Sequence, residues 1–297
     1  KGERALRIGM KAKDSVYSDA ITALSKNEPP KEFGYLEFKR EMGSDKKYSN
    51  ENMPKESYSP EELSAEVLKE LKSLINDETV NSVVITVPAM FTAIQKDATM
   101  KAARIAGFKQ CELLQEPIAA CMAYGLSSEK KDGKWLVFDF GGGTFDAALV
   151  KVEDGILTVF DTEGDNYLGG KNLDEAVVNK ILMPSLKEDY VLSSYETTEW
   201  KKKALIDALK GPAEEMRIAL SFADSADYST YDRNLNLGQD DNGEEIDLEI
   251  TITKDQLIDA VGEQYKKAVG ICKKLLERNG LTGKDLSSLI LVGGPTY

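Results

Sequence analysis

Not one of the 297 residues is histidine. That absence excludes the Ser-His-Asp and Cys-His nucleophile arrangements and removes a principal zinc ligand. Cysteine is scarce as well: Cys111, Cys121 and Cys272 are odd in number and form no Cys-x-x-Cys pair. They read as reduced, buried thiols of a cytosolic protein rather than a disulfide frame or a metal site. Positive charge is in deficit, with 38 basic against 51 acidic residues and a formal net charge of −13. Nucleic acid and anionic membranes need a basic surface, so neither is expected as the main partner. A small anion stays open, because backbone dipoles and a few lysines can hold one. Long apolar runs are missing too. The one around Val83 to Phe91 is too short to span a bilayer and Pro88 interrupts it. No signal-peptide pattern opens the chain. It begins at Lys1 and stops at Tyr297, directly behind "LILVGGPT", so a fragment of a longer protein is expected.

What is present is ordinary for a soluble globular protein: 41% hydrophobic and 30% charged residues over a length that suits about two domains. The first fifty or so residues are polar and carry a loop at "NEPPKEFG". From Ser59 the pattern sharpens. Ser59 and Glu62 make a capping box, Pro60 suits the first helical position, and Leu63, Val67, Leu71, Leu74 and Ile75 form one apolar stripe. "VNSVVITVPAMF" predicts a strand buried on both faces of a parallel sheet. "TAIQKDATMKAARIAG" predicts a helix capped by Thr92 and Gln95, followed by a strand "KQCELLQ" and a helix "EPIAACMAYG". This alternation implies a doubly wound sheet. The polar stretch 127 to 134 is the expected lobe boundary, dividing a first lobe at 1–128 from a second at 129–297. Beyond it the sequence predicts a three-strand meander at 134–140, 144–152 and about 155–163. A helix-rich and hairpin subdomain at about 171–250 follows, with a helix break at Gly211-Pro212 and a hairpin turn near Asn242-Gly243. A long helix from Thr253 and a last strand in "SSLILVGGPT" complete the pattern.

The meander carries the chemistry. In "WLVFDFGGGTFDAALVKV" three consecutive glycines, Gly141, Gly142 and Gly143, stand between Asp139 and Asp146. A plain hairpin needs only two turn residues. Without Cβ atoms, the N–H groups of these glycines can approach an anion closely, and Thr144 adds a hydroxyl. Asp139, at the end of a buried strand, can face phosphates if a hydrated Mg²⁺ lies between. The bland alternative is a glycine bulge, but three glycines in tandem are poor strand formers, which favours a phosphate loop. Gly169-Gly170 before a helix and Gly293-Gly294 after a strand are weak signals singly. They gain weight together, since ligands of open α/β sheets bind beyond the carboxyl ends of strands. No G-x-x-x-x-G-K-[ST] and no G-x-G-x-x-G motif is present, so a P-loop enzyme or a Rossmann dehydrogenase is not expected.

"VFDFGGGTFD", "YLGGKNLD", "TVPAMFTAIQKDATMKAARIAGF", "LLQEPIAACMAYGL" and "LILVGGPT" resemble the ATPase domain of the 70-kilodalton heat-shock (DnaK-like) chaperones, from about Arg7 to the last residue. The resemblance implies an actin-like ATPase fold with a ribonuclease H-like motif: two α/β lobes, each a mixed sheet flanked by helices. It implies ATP and ADP as ligands with Mg²⁺. Asp139 would hold the metal through water, and Gly141, Gly142, Gly143 and Thr144 would bind the β- and γ-phosphates. Glu116 would stand near the metal and the attacking water, and Lys13 would be the catalytic lysine. Glu214, Arg217 and Ser221 would grip adenosine, with Gly169, Gly170, Gly293, Gly294 and Pro295 lining the nucleotide. It further implies a cytoplasmic chaperone of the stress response, with unfolded peptide clients held by a domain outside this chain. A J-domain co-chaperone and a nucleotide-exchange factor would be its partners.

The chain departs from that family's pattern in four ways. The family's first phosphate loop is absent, Ile218 stands where an arginine stacks on adenine, Tyr297 replaces an arginine, and Lys96 replaces another tied to interdomain communication. Two other functions are weighed beside the chaperone ATPase. A sugar-type kinase of the same fold would need a base near the γ-phosphate. Asp146 is the nearby candidate, although its place on a strand is more simply structural. A nucleotide-holding partner that scarcely hydrolyses ATP would be compatible with the substitutions at 96, 218 and 297.

Overall fold

The computed structural model describes residues 8–30, 34–50, 53–75, 79–125 and 132–297. In chain order its elements are α1 (Met10–Lys26), β1 (Tyr48–Asn50), β2 (Met53–Tyr58), α2 (Pro60–Ser73), β3 (Ser82–Val87), α3 (Ala93–Ile105), β4 (Gln110–Gln115) and α4 (Glu116–Gly125). Then come β5 (Gly133–Phe140), β6 (Phe145–Glu153), β7 (Ile156–Asp165), α5 (Gly170–Val177), α6 (Met183–Asp189), α7 (Ser193–Thr197) and α8 (Glu199–Ala219). The chain ends with β8 (Ser225–Ser229), β9 (Glu249–Thr253), α9 (Lys254–Arg278) and β10 (Ser288–Val292). Its contacts divide into two units. One comprises residues 1–34, 50–52 and 171–265, and the other 35–49, 53–170 and 266–297. These units are drawn along other lines than the lobes expected at 1–128 and 129–297. Residues 126–131 of the expected boundary lie outside the described residues.

The unit containing 53–170 is built on a four-stranded sheet in the order β10-β5-β6-β7. β10 runs parallel to β5, and β5, β6 and β7 form the expected antiparallel meander. Asp154 and Gly155, both at positive φ (49° and 77°), make the two-residue turn between β6 and β7, as a primed hairpin turn requires. One face of this sheet is covered by α4: Trp135, Val137, Ala148, Val150, Val152 and Ile290 pack with Ala120 and Cys121. The second layer is the parallel pair β3–β4. It packs with α2 and α3 through Ala65, Ala98, Ala102, Ala103 and Phe108. The small alanines let the two helices close on one another.

Both expected capping boxes are formed. Ser59 Oγ accepts from Glu62 N and Glu62 Oε2 from Ser59 N, and Thr92 and Gln95 repeat the exchange. The apolar stripe of α2 is buried only in its first half, at Leu63. Leu71, Leu74 and Ile75 are exposed, Leu74 at 66%. β3 likewise alternates rather than being buried on both faces, leaving Val84 60% exposed. Its Val/Ile run therefore indicates a parallel strand correctly and its coverage wrongly.

In the other unit α1 packs on α8, and β8 pairs antiparallel with β9. A π turn at Val178–Leu182 separates α5 from α6. The expected break at Gly211-Pro212 does not occur: α8 runs through both residues. A proline inside a helix loses one hydrogen bond and crowds the preceding residue's Cβ. Here that residue is glycine and has none, and Pro212 is buried in the packed face. The expected turn near Asn242-Gly243 is present, with Asp240 accepting from the N–H groups of Val191, Asn242 and Glu244 at 3.0, 2.8 and 2.9 Å. The hairpin partner differs, however. β9 pairs with β8, and only the isolated bridge Gln239–Glu245 flanks the turn.

Candidate functional site

Strand register assembles the candidate site in the unit that holds the four-stranded sheet. β10 parallel to β5 sets Val292 beside Asp139. β6 antiparallel to β5 sets Asp146 opposite Asp139 and Phe145 opposite Phe140. Phe140 and Phe145 are fully buried, with ring centroids 5.5 Å apart, and Phe138 stacks edge-on against Phe145 at 4.7 Å. This aromatic footing fixes both ends of the loop 141–144. The loop closes on itself, Gly141 N donating to Thr144 O at 2.9 Å.

All three glycine segments meet here. Gly170 N donates to Gly141 O at 2.9 Å. A Cβ on Gly169 would lie 2.5 Å from the backbone of Gly143. Gly293, at φ +96°, would drive a Cβ to 2.0 Å from Phe140 O. Gly169 and Gly293 are thus glycines because backbone presses on backbone. Gly142 differs: a Cβ there meets nothing within 4 Å. Its missing side chain leaves open space rather than room for a neighbour. Gly294 starts a short 3-10 turn, Gly294–Thr296, in which Pro295 is buried.

The electrostatics of the cradle are strongly negative. Burial, then the Glu116 carboxylate, push the Asp139 carboxyl above its ordinary value, while Lys39 opposes them. Asp146 is pushed up to about 6, first by burial, then by Glu116 and Asp139, against Lys39 and a hydrogen bond from Thr144. Three carboxylates thus face one lysine, whose Nζ donates to Glu116 Oε1 at 3.0 Å. A divalent cation would relieve this repulsion. Among the described residues no group of three or more carboxylate, thiol or imidazole side chains is placed to grip an ion directly. The arrangement suits an ion held through its water shell, as Mg²⁺ commonly is.

The remaining expected residues lie in the other unit. Lys13 on α1 is paired with Glu214. Arg217 Nε donates to Asp174 Oδ1 at 2.8 Å, and Ser221 Oγ to Arg217 O at 3.4 Å. Ile218 is half exposed on the same helix. The lysine that faces Asp139, Asp146 and Glu116 is Lys39, which sequence reasoning passed over together with its neighbour Arg40. Their only local signal is a Lys-Arg pair inside the polar segment 35–49.

An open, partly parallel sheet whose strand ends present glycine backbone and clustered carboxylates defines an α/β protein with a glycine-lined cradle. The family model described as Hsp70 protein matches residues 23–297. The chain belongs to the Hsp70 family, and with it to the actin-like ATPase fold and to the chaperone ATPase domains. Among the described residues no helix is long and apolar enough to cross a membrane.

Proposed function

We propose that this chain binds ATP and ADP with Mg²⁺ at the glycine cradle, and hydrolyses ATP there to switch the peptide grip of a chaperone. The observation that carries the reading is the convergence of Gly141–Gly143, Gly169–Gly170 and Gly293 beside Asp139, Asp146 and Glu116. N–H groups of the loop and the Thr144 hydroxyl take the phosphate oxygens. Asp139, with Asp146 and Glu116 near it, holds the hydrated Mg²⁺. When bound, that ion would neutralise charge on the phosphates.

The chain's own contribution is positioning and electrostatics, since phosphoryl transfer to water leaves the protein little covalent work. Lys39 supplies the positive charge beside the carboxylates, and takes the role that resemblance assigned to Lys13. Glu116, fixed by Lys39, orients a water. Gly294 and Pro295 contribute to adenosine binding in the same reading. A cytoplasmic location, peptide clients, a J-domain co-chaperone and a nucleotide-exchange factor belong to the same proposal.

The test is calorimetric titration of the 297-residue chain with Mg-ADP, repeated on Asp139→Ala. Binding that this substitution weakens tenfold or more supports the reading. Equal binding by both proteins removes Asp139 from the site. Absence of binding by the unaltered chain refutes nucleotide binding by these residues alone.

A further inference from the structure

We propose that Arg40 is a positioning residue of the cradle: through the carbonyl of Gly143 it fixes the Gly143–Thr144 peptide so that the Thr144 N–H faces the bound anion. The inference rests on the nucleotide reading above and deepens it. Arg40 and Lys39 share one 3-10 turn, Phe38–Glu41. Lys39 reaches Glu116, while Arg40 turns to the glycine loop. Its Nη2 donates to Gly143 O. Its Nη1 pairs with Glu37 Oε2 at 2.7 Å, and its guanidinium carbon lies 5.6 Å from the centre of the Tyr167 ring. Three groups of different kinds thus hold one fork: a carbonyl, a carboxylate and an aromatic face. A planar guanidinium is suited to all three and an ammonium is not.

The consequence for Thr144 follows from peptide planarity. No peptide bond among the described residues is cis, and in a trans peptide the C=O and the next N–H point in opposite directions. A Gly143 carbonyl tethered to Arg40 therefore turns the Thr144 N–H the other way. Glycine at 143 offers no steric preference of its own, so an outside anchor is needed to select one orientation. Other parts of the loop are tied by Gly141 N to Thr144 O and by Gly170 N to Gly141 O. Neither bond involves the Gly143 carbonyl, which is held by Arg40. Glu37, at the start of the turn, holds φ +61°, a conformation that a non-glycine residue seldom adopts. The Glu37–Arg40 pair accompanies it.

The experiment has two readouts on the 297-residue chain and on Arg40→Ala, Arg40→Lys and Tyr167→Ala: Mg-ADP titration calorimetry, and the amide resonance of Thr144 in protein labelled with ¹⁵N-threonine. Losing one well-aimed donor to an anion weakens binding about tenfold. Arg40→Ala is therefore expected to raise Kd about tenfold and to move the Thr144 amide resonance. Arg40→Lys, which keeps a donor but loses the fork, restores only part of both, and Tyr167→Ala gives a smaller change in the same direction. The proposal is overturned if Arg40→Ala binds within twofold of the unaltered chain. It is overturned as well if binding weakens while the Thr144 resonance stays in place, for then Arg40 acts on the ligand directly. If the unaltered chain binds no Mg-ADP, the nucleotide reading fails and the Thr144 resonance alone decides whether Arg40 orients the peptide. Should Arg40→Ala not fold, Arg40→Lys and Tyr167→Ala carry the same two readouts.

Discussion

Removing the charge of Asp146 stabilises the ligand-free protein, and does so only above mildly acidic pH. Burial and the neighbouring Glu116 and Asp139 raise this carboxyl from 3.8 to about 6. A raised carboxyl keeps its proton more readily in the folded state than in the unfolded one. Below 3.8 the group is protonated in both states and contributes nothing. As pH climbs towards 6 the unfolded chain releases the proton first, and stability falls. Above 6 the penalty is complete, because folding then requires two further carboxylates to sit beside a buried charge. At about 1.4 kcal/mol per pH unit, the difference between 3.8 and about 6 corresponds to ~3 kcal/mol. The side chain keeps some contact with water, so ~2 kcal/mol is the expected realised gain. For a chain of this size that is a rise in Tm of about 4 °C or more. The assay is thermal unfolding of the unaltered protein and Asp146→Asn from pH 4 to 8 at constant ionic strength, without nucleotide or divalent cation. The two curves converge at pH 4 and separate by pH 7, with Asp146→Asn higher. Parallel curves, or a variant less stable at pH 8, would refute the reasoning. Millimolar Mg²⁺ narrows the gap by stabilising the unaltered protein more.

The neighbouring residues offer further tests. Lys39→Met removes the cation that opposes that repulsion, so the fall in Tm between pH 5 and 8 becomes steeper than in the unaltered protein; an unchanged slope counts against Lys39 as the site's counter-charge. Gly142→Ala places its methyl in open space and is expected to leave Tm within the change of about 0.5 kcal/mol usual for surface substitutions, while weakening Mg-ADP binding at least tenfold. Gly169→Ala forces a Cβ to 2.5 Å from the Gly143 backbone and is expected to cost about 1–3 kcal/mol, read as a lower Tm. Ser59→Ala removes the capping acceptor of α2 and lowers stability by about 1 kcal/mol in denaturant unfolding.

Features that short stretches determine were legible. The boxes Ser59–Glu62 and Thr92–Gln95 each close within four residues. Gly211-Pro212 misled because its local cost is real, and only the absence of a Cβ at 211 and the burial of Pro212 let α8 continue. The hairpin partner of β9 was misread because pairing with β8 skips the nearer segment 235–239. The α2 stripe was legible as apolar but not as half exposed, since exposure depends on what packs against a helix. The same division runs through the candidate site. The glycine triplet and its aspartates are contiguous and could be read directly. Lys39 meets Glu116 across 77 residues, and Arg40 meets Gly143 across 103. A Lys-Arg pair in a polar segment carries no periodicity, cap or turn signal that announces such partners.

The glycines themselves show why resemblance and geometry inform different halves of the site. Gly169 and Gly293 are required by the protein's own backbone, at 2.5 and 2.0 Å from what a methyl would strike. Any chain folding this way needs them, with or without a ligand. They testify to the fold. Gly142 is required by nothing among the described residues, since a Cβ there would meet only open space. A residue that weakens a strand end and gains no packing in return is explained by something that comes to occupy that space. The carboxylates point the same way, because Asp139 and Asp146 are held where their charges repel each other and Glu116. Stability is given up at adjoining positions for two reasons, missing bulk and excess negative charge, and one ligand answers both: an anion that brings its own divalent cation. That pairing distinguishes a nucleotide with its metal from a free anion. Inorganic phosphate alone, tested against phosphate with Mg²⁺, should bind measurably only in the second case.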